Sequence, residues 1–208
     1  KILLVVFGIV AILPVFIHDD LYLMNILIMC LIWWVVAASW DVMMGFAGIF
    51  AFSQIAFFVI GAYSSGIIAL HYGVSPWLGM VFGSLIAGTG GILVSLPCLK
   101  LEGAHIALIT FAVHMILEPF LKSDTGRLIG TGGTQGLLEI PPLTVGGFTF
   151  SSFQLLPWFY TAFIISFICL LILYKMIHSS WGLAFVALRD SGQFANFLGV
   201  NGFKYKLA

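Results

Sequence analysis

Runs of about twenty apolar residues recur along the chain, and this recurrence limits the possible folds more than any other feature. A helix rises 1.5 Å per residue, so crossing a hydrocarbon core of about 30 Å takes about 20 mostly apolar residues. Such runs extend from about Ile2 to Ile17, Leu21 to Met44, Phe52 to Leu70, Trp77 to Leu96, Ala104 to Phe120 and Pro157 to Met176. The polar cluster His18, Asp19, Asp20 closes the first run, and Pro97 closes the fourth. Inside hydrocarbon every backbone N–H and C=O needs an internal partner, which makes runs of this length helical. A transmembrane β-barrel instead requires segments of about ten residues alternating apolar and polar, and that alternation is absent. The predicted fold class is therefore all-α: a polytopic transmembrane bundle of about six spans, forming one domain over residues 1–208.

Composition agrees. Of the 208 residues 62% are hydrophobic and 8% charged, whereas soluble domains carry about a quarter charged residues. Eight basic and eight acidic residues cancel, so nothing electrostatic favours a nucleic-acid partner. Cys30, Cys98 and Cys169 are scattered through apolar runs, a spacing that makes neither a metal site nor a disulfide framework. The chain begins at Lys1 and stops at Ala208 where a further apolar segment is starting. Both ends are expected to be cuts in a longer protein, with C-terminal spans beyond residue 208. The first run lacks a small-x-small cleavage site, so it reads as a helix and not as a signal peptide.

With Lys1 inside, six spans place Lys1, Lys100, Lys175, Arg189, Lys204 and Lys206 in the cytoplasm, and Lys122 and Arg127 outside. That bias obeys the positive-inside rule. It depends on Asp41 to Ser53 being a true reversal. A break that re-entered without crossing would change the parity.

Gly79, Gly83, Ala87 and Gly91 recur every four residues, as do Gly61, Ser65 and Ala69. Small residues at this spacing let helix backbones approach closely, within one subunit or between two. Asp41, His105, His114 and Glu118 fall in or near apolar runs, where ionisable groups are costly and usually functional. His105 and His114 are nine residues apart and occupy opposite helix faces. His114 and Glu118, four apart, share a face and form either a proton relay or a wet pair at the outer boundary. No triad, phosphate loop or metal-ligand motif is present, so the chain carries no recognisable catalytic chemistry.

Two segments have distinctive texture. In Gly45 to Gly66, Gly45 and Gly48 loosen the backbone before Ser53 and Gln54, and aromatic residues then lead to Gly61, Ala62 and Tyr63. Discontinuous helices of this kind expose backbone dipoles to a solute at membrane depth. An ordinary polar turn is the alternative. In Ser179 to Ala208 the hydrophobicity breaks abruptly. Ser179 or Ser180 can cap a short helix, whose apolar positions Leu183, Val186, Ala187, Phe194, Phe197 and Leu198 oppose Arg189 and Asp190. Gly199 is placed to end it in a left-handed conformation. The resulting amphipathic helix is expected at the cytoplasmic surface, with a lipid-facing interfacial helix as the alternative.

These segments resemble the branched-chain amino acid permeases of bacterial and archaeal ABC importers, in particular the LivM-type subunits. The resemblance rests first on Gly45, Phe46, Ala47, Gly48, Phe52, Ala56, Phe58, Ile60, Gly61, Ala62 and Tyr63. It continues through Lys100 to Thr110, through Thr131, Gly132, Gly133, Gly136 and Leu137, and through Gly182, Ala184, Ala187, Leu188, Arg189 and Asp190. Ala195, Leu198, Gly199 and Val200 follow, then Tyr205, Lys206 and Leu207. Ser53 and Gln54 replace or shift a Ser and a Gly of the family pattern, Glu102 departs from a basic residue, and Leu183 and Val186 stand where basic residues are common.

The resemblance implies a permease subunit that forms part of the path for branched-chain or related amino acids, or for urea and short amides. Expected partners are a second permease subunit, two cytoplasmic ATPases, a periplasmic or lipid-anchored solute-binding protein, and membrane lipid. The chain itself would bind no cofactor, ATP–Mg being held by the ATPases. It would be multi-pass in a bacterial or archaeal cytoplasmic membrane, with an outer loop over 121–156 and a coupling segment over 179–201. ATPase docking is assigned to Gly182, Leu183, Ala187, Leu188, Arg189, Asp190 and Gly199. The path is assigned to Gly48, Ser53, Gln54 and Thr110, and contact with the binding protein or gating to Thr131, Gly132, Gly133 and Gly136. Two rivals belong to other classes. A channel or proton-coupled transporter would use His114 and Glu118, and a haem-bearing membrane subunit would want paired histidines on facing helices.

Overall fold

A computed structural model describes residues 2–17, 20–98, 101, 103–138, 140–145, 148–150 and 154–191. The helices are α1 (Ile2–Ile17), α2 (Leu21–Asp41), α3 (Gln54–Tyr72), α4 (Pro76–Cys98), α5 (Ala104–Lys122), the short α6 (Asp124–Ile129), α7 (Leu155–Ile177) and α8 (Ser180–Asp190). One π-helical turn, Val42–Phe46, prolongs α2 to a continuous run of 26 residues. Five helices among the described residues are long and apolar enough to cross a membrane: α2 with its π turn, α3, α4, α5 and α7. The sixth expected span, α1, has 16 residues and a length of about 24 Å at 1.5 Å per residue. The chain is thus an all-α, multi-pass membrane protein. A two-residue antiparallel ladder, β1 (Thr144–Val145) with β2 (Phe148–Thr149), decorates the α6–α7 connection.

Helix ends follow from local chemistry. The Asp20 carboxylate accepts from the N–H groups of Tyr22 and Leu23, satisfying two donors that α2 leaves free. Gly73 takes the left-handed conformation that stops α3, and Pro76 opens α4 at a position that needs no N–H donor.

Packing divides into two groups. In the first, α2 and α7 enclose Met24, Leu31 and Phe159, and the Ser166 hydroxyl donates across to the Leu31 carbonyl at 3.3 Å. Phe7 of α1 stacks on Trp34 at 5.1 Å and meets Phe163 and Phe167 edge-on. In the second, the small-residue stripes of α3 and α4 face each other. A Cβ on Gly83 would lie 2.5 Å from the Gly61 carbonyl oxygen, and one on Gly79 2.9 Å from that of Ser65. The stripes therefore pack within one subunit, with backbone against backbone. Outward faces are strongly apolar: Leu85, Leu93, Leu108, Ile116 and Ile172 are each at least 60% exposed, as lipid-facing side chains are.

Candidate functional site: a recessed helix break and the surface helix beneath it

The chain between α2 and α3 is a genuine reversal. Trp33 on α2 meets Phe58 on α3 with ring centroids 6.4 Å apart, and Trp40 donates through Nε1 to the Ala51 carbonyl at 2.8 Å. Residue numbers thus rise along α3 as they fall along α2, so the two spans are antiparallel and the parity of the topology is kept. The same segment is also a break set back into the bundle. After the π turn the chain doubles back and buries Ala51 and Ser53. The Phe52 N–H then donates to Thr110 Oγ1 at 3.0 Å, six residues into α5. At 1.5 Å per residue this is about 9 Å above the start of α5.

Thr110 is 3% exposed, and its hydroxyl also contacts the Ile106 and Ala107 carbonyls at 2.8 and 3.1 Å. Its place is therefore that of a brace that satisfies a backbone donor inside the bundle. Replacing it with valine keeps the shape and orphans the Phe52 N–H, at a cost of about 1–3 kcal/mol. Serine should be near neutral. Thermal unfolding in detergent of both variants checks this, and equal stability of valine and wild type would remove the brace.

Gln54 opens α3 with its amide N directed to the Met43 sulfur. It joins Trp33, Val36, Trp40, Phe52 and Ile55 around a cavity of about 290 Å³ whose walls are nearly all apolar. Gly48 has φ +67°, a left-handed conformation strained for a side-chain-bearing residue, and any Cβ there would strike the Arg189 stem.

That contact comes from α8. Ser179 caps α8 by accepting from the Trp181 N–H at 3.2 Å. The helix ends at Asp190, with Ser191 extended, and does not continue to Gly199 as the apolar spacing predicted. Gly199 and the family positions from Ala195 onward lie outside the described residues, as do Lys100 and Glu102. Of the residues assigned to docking, Gly182 is buried, and a Cβ there would collide with the Ile177 carbonyl. It allows the tight α7–α8 corner and faces inward. Ala187 and Leu188 are half-buried, while Leu183 is 76% exposed. Leu183, Ala187 and Asp190 share one face at helical spacing.

Arg189 points to the break. Its Nη1 donates to the Gly45 carbonyl at 2.6 Å, and its guanidinium also pairs with Asp190 at 3.0 Å. A long-range contact of this kind leaves no periodic trace, and sequence spacing missed it.

The loop that follows α6 is tied by its own hydrogen bonds. Thr131 is buried, donates to the Leu121 carbonyl at 2.8 Å and accepts from the Gly133 N–H. Gly132, at φ +75°, sits so close to Gly136 that a Cβ would overlap its carbonyl. Gly130 abuts the His71 ring, and Leu137 reaches down to Gly66, where an added Cβ would be 2.6 Å from Leu137 Cδ1. Gly130 and Leu137 thus hold the loop around Thr131, Gly132, Gly133 and Gly136 against the C-terminal half of α3. Glu118 pairs with Lys122 at 2.6 Å, both exposed. Among the described residues no hydrogen bond joins His114 to Glu118, whose carboxylate is taken by Lys122.

Residues 22–208 match the family described as "Branched-chain amino acid transport system / permease component". The high-affinity branched-chain amino acid transport system permease protein LivM of Salmonella typhimurium is 28% identical over 127 residues, covering 61% of this chain and 29% of that protein. LivM of Escherichia coli matches with the same identity and coverage. The chain therefore spans less than a third of the length of these relatives. No solved structure matches. With the family pattern running from α2 to the end of the chain, this protein belongs to the branched-chain amino acid transport permease family.

Proposed function

We propose that the chain forms part of the translocation path of an ATP-driven importer for branched-chain or related amino acids, with α8 as the helix that couples the path to an ATPase. The observation that carries the reading is the bond from Arg189 on α8 to the Gly45 carbonyl, 144 residues away. It joins a surface helix to the turn where a membrane span is interrupted. A push on α8 is then delivered to the break, and the break to the apolar cavity beside Gln54.

The path runs past Gly48 and Gln54, while Ser53 and Thr110 sit in the walls. Leu183, Ala187 and Asp190 present the docking face, and the loop from Thr131 to Leu137 closes the outer end. A second permease subunit, two cytoplasmic ATPases holding ATP–Mg and a solute-binding protein complete the assembly, in a bacterial or archaeal cytoplasmic membrane. Coupling of this kind requires that each end favour a different global state.

The test is co-purification. Full-length protein from native membranes should bring down ATPase subunits, and Leu183→Asp, which charges the most exposed apolar position of α8, should lose them without loss of folded permease. A well-folded native chain that brings down no ATPase would end the importer reading.

A further inference from the structure

The loop after α6 closes over a second cavity, polar where the one beside Gln54 is apolar. Ser123 caps α6 by accepting from the Gly126 N–H at 3.2 Å. A Cβ on buried Gly126 would lie 2.6 Å from the Phe120 and Leu121 carbonyl oxygens, so α6 is folded tightly onto the end of α5. Thr131 fixes the following loop to the Leu121 carbonyl, and Gly133 is buried against the Arg127 stem and the Lys122 carbonyl. The space left measures about 140 Å³ and has mostly polar walls. Lys122, Asp124 and Arg127 line it from the helices, and Thr134 and Gln135 from the loop.

Asp124 and Arg127 stand three apart on α6, a spacing at which opposite charges commonly pair. Among the described residues, however, neither side chain makes an ion pair or a hydrogen bond. The side chains of Thr134 and Gln135 have no hydrogen-bond partner there either. Lys122 is held by Glu118 at 2.6 Å, and an ammonium has three donors, so it keeps others for the cavity. One acid, two bases and two neutral polar groups thus border one small space, positioned by the backbone and not by one another.

We propose that this cavity binds the zwitterionic head of a free α-amino acid, its carboxylate between Arg127 and Lys122 and its ammonium at Asp124. The volume equals the share of about four or five waters, which suits an ammonium, a carboxylate and the carbon between them. An anion alone would leave Asp124 unanswered, and a cation alone would leave Arg127 so. With little apolar wall to cover, an aliphatic side chain gains nothing inside and is left to project out. The site therefore reads the head and is blind to the side chain. Urea and short amides, which lack the pair of opposite charges, are not held. Through Gly130 the same loop meets His71 near the end of α3, whereas α8 meets the break that precedes α3. This deepens the importer reading and rests on it for the direction of travel: the amino acid is received at the end of the bundle opposite the ATPase helix.

The test uses the full-length permease with its ATPase in nanodiscs, without binding protein, and reads ligand binding by saturation-transfer NMR. Alanine is the probe, because its methyl group gives the apolar cavity beside Gln54 little to hold. Propionate, which lacks the ammonium, and ethylamine, which lacks the carboxylate, should each bind about tenfold more weakly than alanine, the loss of one hydrogen-bonded charge. Arg127→Gln and Asp124→Asn should each weaken alanine binding by a similar factor, and leucine should bind like alanine. Either single-charge analogue binding as well as alanine overturns the proposal, and so does either variant binding alanine like wild type. Both residues are exposed, and if a variant still fails to fold, the analogue series on the native protein decides alone. A preparation that holds its ATPase but binds no alanine overturns the site and leaves the importer reading standing. One that binds alanine but holds no ATPase keeps the site and defeats the importer reading.

Discussion

Replacing Arg189 with methionine is expected to cut ATP-driven uptake about tenfold while the ATPase stays bound and continues to hydrolyse ATP. Methionine keeps most of the stem that lies on Gly48 and removes the guanidinium that donates to the Gly45 carbonyl at 2.6 Å. A hydrogen bond from a charged donor is worth about 1.5–3 kcal/mol, enough for this fold-change if the bond favours one state of the break over the other. The Leu183 face is untouched, so docking should survive. Arg189→Lys, with one point charge in place of a fork, should fall between. The measurement is uptake and ATP hydrolysis side by side in proteoliposomes with the binding protein present. Uptake at the wild-type level in the methionine variant would show that the link transmits nothing.

Gly83→Val is expected to destabilise the protein by about 3 kcal/mol, the upper part of the range for overpacking. Its first added carbon would lie 2.5 Å from the Gly61 carbonyl oxygen and 2.9 Å from Ser65 Cβ. The first obstacle is backbone and cannot rotate away, so α3 and α4 must separate and lose dispersion contact along the stripe. For a chain of this size that corresponds to a fall of about 10 °C in melting temperature. Gly88→Val is the control, because nothing lies within 4 Å of a Cβ there. Fluorescence-detected size exclusion after heating reads both. Equal melting of the two variants would mean that the close approach is not what holds the hairpin together.

Much of the architecture was legible in the residues, because hydrocarbon enforces a single rule on every long apolar run. The ends of the long helices agreed to within a few residues. Glycine periodicity located the α3–α4 contact, although only the structure decided that its two stripes face each other. What stayed hidden was tertiary. Ser53 and Thr110 were assigned to the path through the resemblance, and nothing in that pattern showed that Thr110 accepts from the Phe52 N–H. Gly182 read as part of a docking surface, yet its lack of a side chain serves the corner with Ile177. Arg189 read as a docking residue of the surface helix, and its bond to Gly45 spans a sequence distance that no local pattern encodes. The helix around it stopped at Asp190 because the apolar spacing carries no information about where the backbone turns extended.

The position of α3 carries a mechanical consequence. At one end it begins at the recessed break, and near the other its Gly66 lies under Leu137. Along the middle it is joined to α4 with no side-chain layer between the backbones. Such a pair has little slack: it tilts as a plank does, and lowering one end raises the other. On the proposed importer reading, inner and outer closures mounted on one stiff body could not be set independently, and a leak with both ends open would require the plank to bend.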